Sequence, residues 1–228
     1  SILRYHRHSD IIIVDSDSPD KSYFELSKLV NVKIYDVKNK HYDTGAYWYV
    51  FKRTDYSFYF FSHDSIIYKR CIYDVMESEL TVMRHFPSWD KVGGFMPVQG
   101  RSNALRFGLS KFTKPEIKDS MLGFGFNNEE EIEWCRQKTK ELGLAFPSFF
   151  ISVFGPVFYC NRDVMNRLAG INFDSLLPKN KLEQMCMERM FGLAFTALGY
   201  VFENSLQGNN FQVPLDFNGI EKFIMARK

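Results

Sequence analysis

Residues 10–20 read Asp-Ile-Ile-Ile-Val-Asp-Ser-Asp-Ser-Pro-Asp. The apolar, β-branched run is too short for a helix and suits a strand buried on both faces. Turn formers stop it at once. Ser18 is placed as an N-cap and Pro19 as a first helical residue, which predicts a helix to about Leu29. Val32 to Val37 is a second short strand. Tyr42-Asp43-Thr44-Gly45 opens an aromatic-rich helix from Ala46 to about Arg53. Phe58-Tyr59-Phe60-Phe61 is a third strand, running into Ser62-His63-Asp64-Ser65. Strands alternating with helices predict βαβ units, hence an α/β domain with a mostly parallel sheet flanked by helices. Ligands of such sheets bind beyond the carboxyl ends of the strands. Asp15 to Asp17, Lys38 to Asp43 and Ser62 to Ser65 are therefore expected to converge on one crevice.

The flanking segments are read the same way. Residues 1–9 read as the end of a helix, and Phe86 to Gly100 as a loop. Asn128 is placed as the cap of a helix to about Leu142, with Gly143 as its stop. Phe149 to Tyr159 reads as a strand interrupted by Gly155-Pro156, and Asn161 to Ala169 as a helix. A long helix is expected from Asn180 to about Leu198, ending at Gly199. A short strand at Tyr200 to Phe202 and a short helix from Ile220 complete the reading.

Composition excludes several classes. The 228 residues suit a single domain, with residues 1–85 and 86–228 as its two halves. Lys plus Arg number 29 against 27 Asp plus Glu, so a nucleic-acid binder driven by phosphate contacts is excluded. Aromatics reach 17%, spread along the whole chain, which points to a Phe-rich core before any stacking platform. Cys71, Cys135, Cys160 and Cys186 lie far apart and form no CxxC pair, so neither a zinc ribbon nor a redox motif is expected. A reduced, cytoplasmic compartment is the simplest setting. No apolar run approaches the roughly 20 residues of a membrane span, which leaves only peripheral membrane association open. The opening Ser-Ile-Leu-Arg-Tyr-His-Arg-His lacks an initiator Met and a signal-peptide apolar core.

The ordered set Ile-Ile-Ile-Val-Asp-Ser-Asp-Ser-Pro-Asp, Lys-His-Tyr-Asp-Thr-Gly-Ala and Phe-Tyr-Phe-Phe-Ser-His-Asp-Ser resembles the nucleotide-binding half of GT-A fold, family-2-like glycosyltransferases. The later Glu-Gln-Met-Cys-Met-Glu-Arg, followed by Gly-Tyr, resembles their acidic helix. The likeness covers residues 1–70 well and 150–203 loosely, and it places one further strand before residue 1. It implies a nucleotide-sugar donor (UDP-, GDP- or dTDP-linked), a glycan acceptor and a divalent Mn²⁺ or Mg²⁺.

The resemblance also implies roles. Asp15, with Ser16 and Asp17, would meet the nucleoside, accepting hydrogen bonds from a ribose hydroxyl or base N–H; the alternative is that these residues only cap the turn. Tyr42, Asp43 and Gly45 would contact the nucleotide, Gly45 by allowing close backbone approach; the alternative for Asp43 is a helix N-cap. Ser62-His63-Asp64-Ser65 stands where the family has an acidic metal motif. Asp64 would be the metal ligand there, helped by His63 or Ser65, because hard cations take oxygen ligands. Here Ser62 replaces the first carboxylate, and every histidine lies at or before position 85, so a late histidine ligand is missing. The alternative is a strand-end cap with no metal.

Glu188 matches the catalytic carboxylate and Glu183 is the reserve. A spacing of five turns them about 140° apart on a helix, so one site takes only one of them. In an inverting transfer Glu188 would deprotonate the acceptor hydroxyl; the alternative is a solvated helix charge. Trp89 and the 93–100 loop would cover the sugar, and Trp48 and Trp134 read as core. The expectation is a hexosyl- or deoxyhexosyltransferase of surface polysaccharide synthesis. The rivals are a non-catalytic carbohydrate- or protein-binding module and a nucleotidyltransferase. The latter usually carries a Gly-rich or basic first turn, whereas Asp15 to Asp20 is acidic.

Overall fold

The structure, a computed structural model, describes residues 2–62, 66–68, 80–84, 129–146, 153–200, 216–217 and 220–222. A short helix α1 (Ile2–Tyr5) precedes strand β1 (Ile11–Asp15). A 3₁₀ segment (Ser22–Lys28) leads to β2 (Val32–Asp36), helix α2 (Tyr42–Phe51) and β3 (Phe58–Phe61). Then follow β4 (Ile66–Tyr68), β5 (Leu80–Arg84), α3 (Glu129–Glu141), β6 (Val153–Asn161) and α4 (Arg162–Gly170). Helix α5 (Lys181–Ala197), β7 (Asp216–Phe217) and β8 (Ile220–Lys222) complete the described elements. The short helix expected from Ile220 is thus a strand, paired antiparallel with both β4 and β7.

β1 and β2 pair in parallel, with Ile11 opposite Val32 and Asp15 opposite Asp36. The expected mostly parallel sheet is corrected at β3. Among the described residues that strand pairs antiparallel with β6, in a three-stranded sheet ordered β3-β6-β5. The burial of β3 gives the reason: Tyr59 and Phe61 are buried, while Phe58 is exposed. Such one-faced alternation suits an antiparallel sheet, whereas a strand of a parallel sheet is apolar on both faces.

The helices begin and end as their terminal residues dictate, with two exceptions. Asn161 caps α4 through Oδ1 to Val164 N (3.0 Å), and Asn180 caps α5 through Oδ1 to Glu183 N (3.0 Å). Gly143 (φ 70°) and Gly199 (φ 86°) take the left-handed conformation that ends α3 and α5. The helix expected from Pro19 is instead the later 3₁₀ segment, and Ser18 does not cap it. α2 starts at Tyr42, earlier than expected, with His41 at its N-cap. Asp43 therefore lies inside the first turn rather than at the cap.

One core joins both halves of the chain. Phe158 of β6 sits at its centre, with ring centroids 5.0 Å from Phe61, 5.1 Å from Phe191 and 5.4 Å from Phe195. Among the described residues most phenylalanines belong to the core, and Trp48 is buried in it with Trp134 packed at its edge. Cys135, Cys160 and Cys186 are free and fully buried. Burial pushes the Cys135 and Cys160 thiols up, so both are inert packing groups.

Candidate functional site

The parallel register sets the ends of β1 and β2 side by side. Asp15 closes β1 and is 4% exposed. Its Oδ1 accepts from Ser18 N at 3.1 Å, and its Oδ2 pairs with Lys21 Nζ. Lys21 also reaches Asp36 Oδ1 at 3.1 Å, bridging the two strand ends. Burial by itself would raise the Asp15 pKa, but the hydrogen bonds from Lys21 and Ser18 outweigh it. They hold the carboxyl well below the ordinary aspartate value of 3.8. Asp15 is therefore ionised and holds the turn that follows β1.

A group with a lowered folded pKa stabilises the fold above its unfolded value and loses that contribution as pH falls through the folded value. Asp15 should thus contribute fully at neutral pH and fade progressively as pH falls below about 5. Urea midpoints measured across that range for the native chain and Asp15→Asn are expected to differ most at pH 7 and to converge in acid. Parallel curves would mean that Asp15 contributes nothing through its charge.

The second strand end is tied to the first. Asn39 Nδ2 donates to Ser16 Oγ (3.1 Å) and to Tyr42 O (2.6 Å), and Asn39 Oδ1 accepts from His41 N (2.9 Å). Two of the three expected clusters therefore meet. Asp17 (φ 70°) and Tyr42 (φ 51°) both take left-handed backbone on this rim. Aspartate tolerates that region, whereas for a bulky aromatic residue it is an outlier that the surroundings must hold. Ser16, Asp17 and Tyr42 are exposed, and Asp43 is half-buried.

Gly45 allows a close approach, as expected, but the approaching group is the chain itself. A Cβ on Gly45 would collide with the Asn39 side chain and lie 2.6 Å from His41 Cβ. Gly45→Ala is expected to cost about 1–3 kcal/mol by overpacking, read as a lowered urea midpoint. A midpoint unchanged within error would show that this loop yields freely.

On α5, Glu183 and Glu188 part company. Glu183 Oε2 accepts from Lys179 N (2.6 Å) while Asn180 caps Glu183 N, a reciprocal arrangement close to a capping box. Its carboxylate is committed to the helix start. Gln184 Nε2 lies 3.5 Å from Asp43 Oδ2, linking α5 to the first turn of α2. Glu188 follows Gln184 by one helical turn and so shares its face. The Glu188 side chain is 18% exposed and lies 3.2 Å from Arg189 Nη1. Arg189 is buried; its Nη1 donates to Met185 O (2.5 Å), and its Nη2 lies 3.8 Å from Glu131 Oε2 on α3.

His63, Asp64, Ser65, Trp89 and the 93–100 loop lie outside the described residues. Among the described residues no group of three or more His, Cys, Asp or Glu side chains could hold a metal ion. None of their helices is long and apolar enough to cross a membrane.

Lys21, Gln184, the bonding of Asn39 and the Arg189–Glu131 pair did not emerge from the sequence. Arg189 left one signal, a cation inside the apolar run Met-Cys-Met-Glu-Arg-Met-Phe-Gly-Leu-Ala-Phe. Buried charges are paired, so an arginine there calls for a carboxylate partner. Comparison with known protein families, curated proteins and solved structures finds no match.

Proposed function

We propose that this protein transfers a sugar from a nucleotide-sugar donor to a glycan hydroxyl. The carrying observation is the contact between Gln184 and Asp43, residues 141 apart in sequence. It brings the helix of Glu188 to the rim formed by Asp15, Ser16, Asp17, Tyr42 and Asp43. Donor and general base then belong to one crevice. The Asp15 side orients the nucleoside, and Glu188 removes the acceptor proton as the acceptor oxygen attacks the anomeric carbon. A divalent cation at Asp64, aided by His63, would supply charge neutralisation on the departing diphosphate.

Thermal shifts with UDP-, GDP- and dTDP-sugars, with and without Mn²⁺, test this directly. One nucleotide class is expected to raise the midpoint, more so with Mn²⁺, and slow donor hydrolysis is expected. Asp64→Ala should remove the Mn²⁺ dependence and leave the unliganded midpoint in place. Unchanged Mn²⁺ dependence in that variant would reject the metal assignment. The pairing of Glu188 with Arg189 favours the rival, a non-catalytic binding module, because an ion-paired carboxylate is a weaker base. A ligand-induced shift with no hydrolysis at all would establish the rival.

A further inference from the structure

The parallel pair has a second end. β1 and β2 begin side by side at Ile11 and Val32, about 13 Å from the rim at their carboxyl ends. Just before β2 the chain turns through Leu29, Val30 and Asn31, and Val32 N donates to Leu29 O at 3.1 Å. Val30 stands at the corner of this turn and is fully exposed, and Leu29 is 41% exposed. The turn is held firmly. Leu29 N donates to Leu26 O (3.0 Å), and Asn31 O accepts from Ile11 N (2.8 Å). Asn31 Nδ2 donates to Arg7 O (3.1 Å) and to Ser9 O (2.9 Å). A β-branched side chain with little rotamer freedom is therefore held out in water by a fixed backbone.

The free charges beside this tip are cations. Lys28 directly precedes Leu29, and the Asn31 bond sets Arg7 next to the turn; both side chains are exposed. Arg4, three residues before Arg7, is exposed as well. Neither arginine has a carboxylate partner among the described residues: Arg4 lies over the Tyr5 ring, and Arg7 Nε donates to His8 Nε2 (3.1 Å). The carboxylates of this end are already engaged. Glu25 pairs with Lys28, while Asp10 accepts from the Tyr56 hydroxyl and lies 3.8 Å from Lys33 Nζ.

We infer that the Leu29–Val30 tip docks on an anionic lipid surface. An apolar apex with cations behind it matches the layering there, hydrocarbon beneath and negative headgroups outside. Val30 and Leu29 enter the interface, and Arg7, Lys28 and Arg4 meet the headgroups. A second copy of the chain fits the tip poorly. Two apolar side chains fall far below the roughly 800 Å² per partner of a standard interface, and a twofold pair would set these cations against each other. The contact is reversible and salt-sensitive rather than an anchor. It lies at the opposite end of the strands from the rim, so it does not rest on the glycosyltransferase reading.

The test sediments the full chain with phosphatidylcholine vesicles that contain either no phosphatidylserine or about 30% of it. Binding is expected to be at least about tenfold tighter with phosphatidylserine and to fall steeply at about 0.5 M salt. Val30→Asp should weaken it at least about tenfold, because a charge then replaces the inserted side chain, and Val30→Leu should keep it. Arg7→Gln should weaken it about fivefold, the worth of one cation at the surface. Urea midpoints of these exposed-site variants should match the native one, which separates lost binding from lost fold. No sedimentation with phosphatidylserine up to about 5 mM lipid, binding indifferent to salt, or native affinity in Val30→Asp would each overturn the assignment. Self-association that Val30→Asp removes, without vesicle binding, would give the tip to a second copy instead.

Discussion

Arg189→Ala is expected to lower the unfolding free energy by about 3–5 kcal/mol, the cost of removing one partner of a buried ion pair. Both side chains of the pair are almost inaccessible, Arg189 at 3% and Glu131 at 2%. The variant leaves the Glu131 carboxylate beside the buried core with its main cation gone. It also frees Met185 O and Glu188, which Arg189 Nη1 now contacts. Most of the loss is therefore the penalty of a stranded charge rather than the worth of the pair. The double replacement Arg189→Met with Glu131→Leu keeps volume and removes both charges, so it should recover most of the stability. Urea unfolding of both single variants and the double variant gives the coupling by a double-mutant cycle. A loss below about 1 kcal/mol in Arg189→Ala would show that water reaches the pair and that it is not buried in solution.

Glu188→Gln is expected to lower the transfer rate by about 10²–10⁴ with donor affinity nearly unchanged, because a general base acts on the acceptor and not on the nucleotide. Glutamine keeps the shape and helix propensity but lacks the basic oxygen. Glu183→Gln is the built-in comparison. Its oxygen still accepts from Lys179 N, so activity should survive with only a small loss of stability. Transfer rate set against donor affinity in both variants decides the matter. A dead Glu183→Gln would mean that α5 presents its other side to the acceptor. Full activity in both would place the base elsewhere and remove Glu188 from the proposal.

The two outcomes are linked through Arg189. It contacts Glu188 directly, so Arg189→Ala changes the carboxylate's surroundings as well as the fold. Rates for that variant are informative only where it is folded, which the urea curves establish first.

Legibility varied along the chain for identifiable reasons. β1 was readable because four consecutive branched apolar residues admit one local solution. The start and stop of α5 were readable because Asn180 and Gly199 act within a turn of their own position. The helix read from Pro19 starts only at Ser22, because the Asp15 to Asp20 stretch is spent on a turn in which Asp15 accepts from Ser18 N and Asp20 from Ser22 N. Gly45 was recognised as a close-approach position, but the sequence did not show that the approaching group is Asn39. In the candidate site, the strand-end polar residues were legible as a set. Their bonding was not: Lys21 lies six residues beyond Asp15, and Asn39 lies 23 beyond Ser16.

Sequence alone determined where most of the described strands and helices lie, where α4 and α5 begin and end, and that aromatic residues belong first to the core. These follow from interactions spanning a few residues or from gross composition. Only the tertiary structure decided that β3 joins β6 instead of extending the parallel pair, that Phe158 is the hub of the core, and that Arg189 meets Glu131. Each depends on partners far apart in the chain, such as β3 and β6 or Asp43 and Gln184. Strand pairing and charge burial draw their energy from the partner's side chains. A local pattern states what a segment can offer, and the fold decides which offers meet.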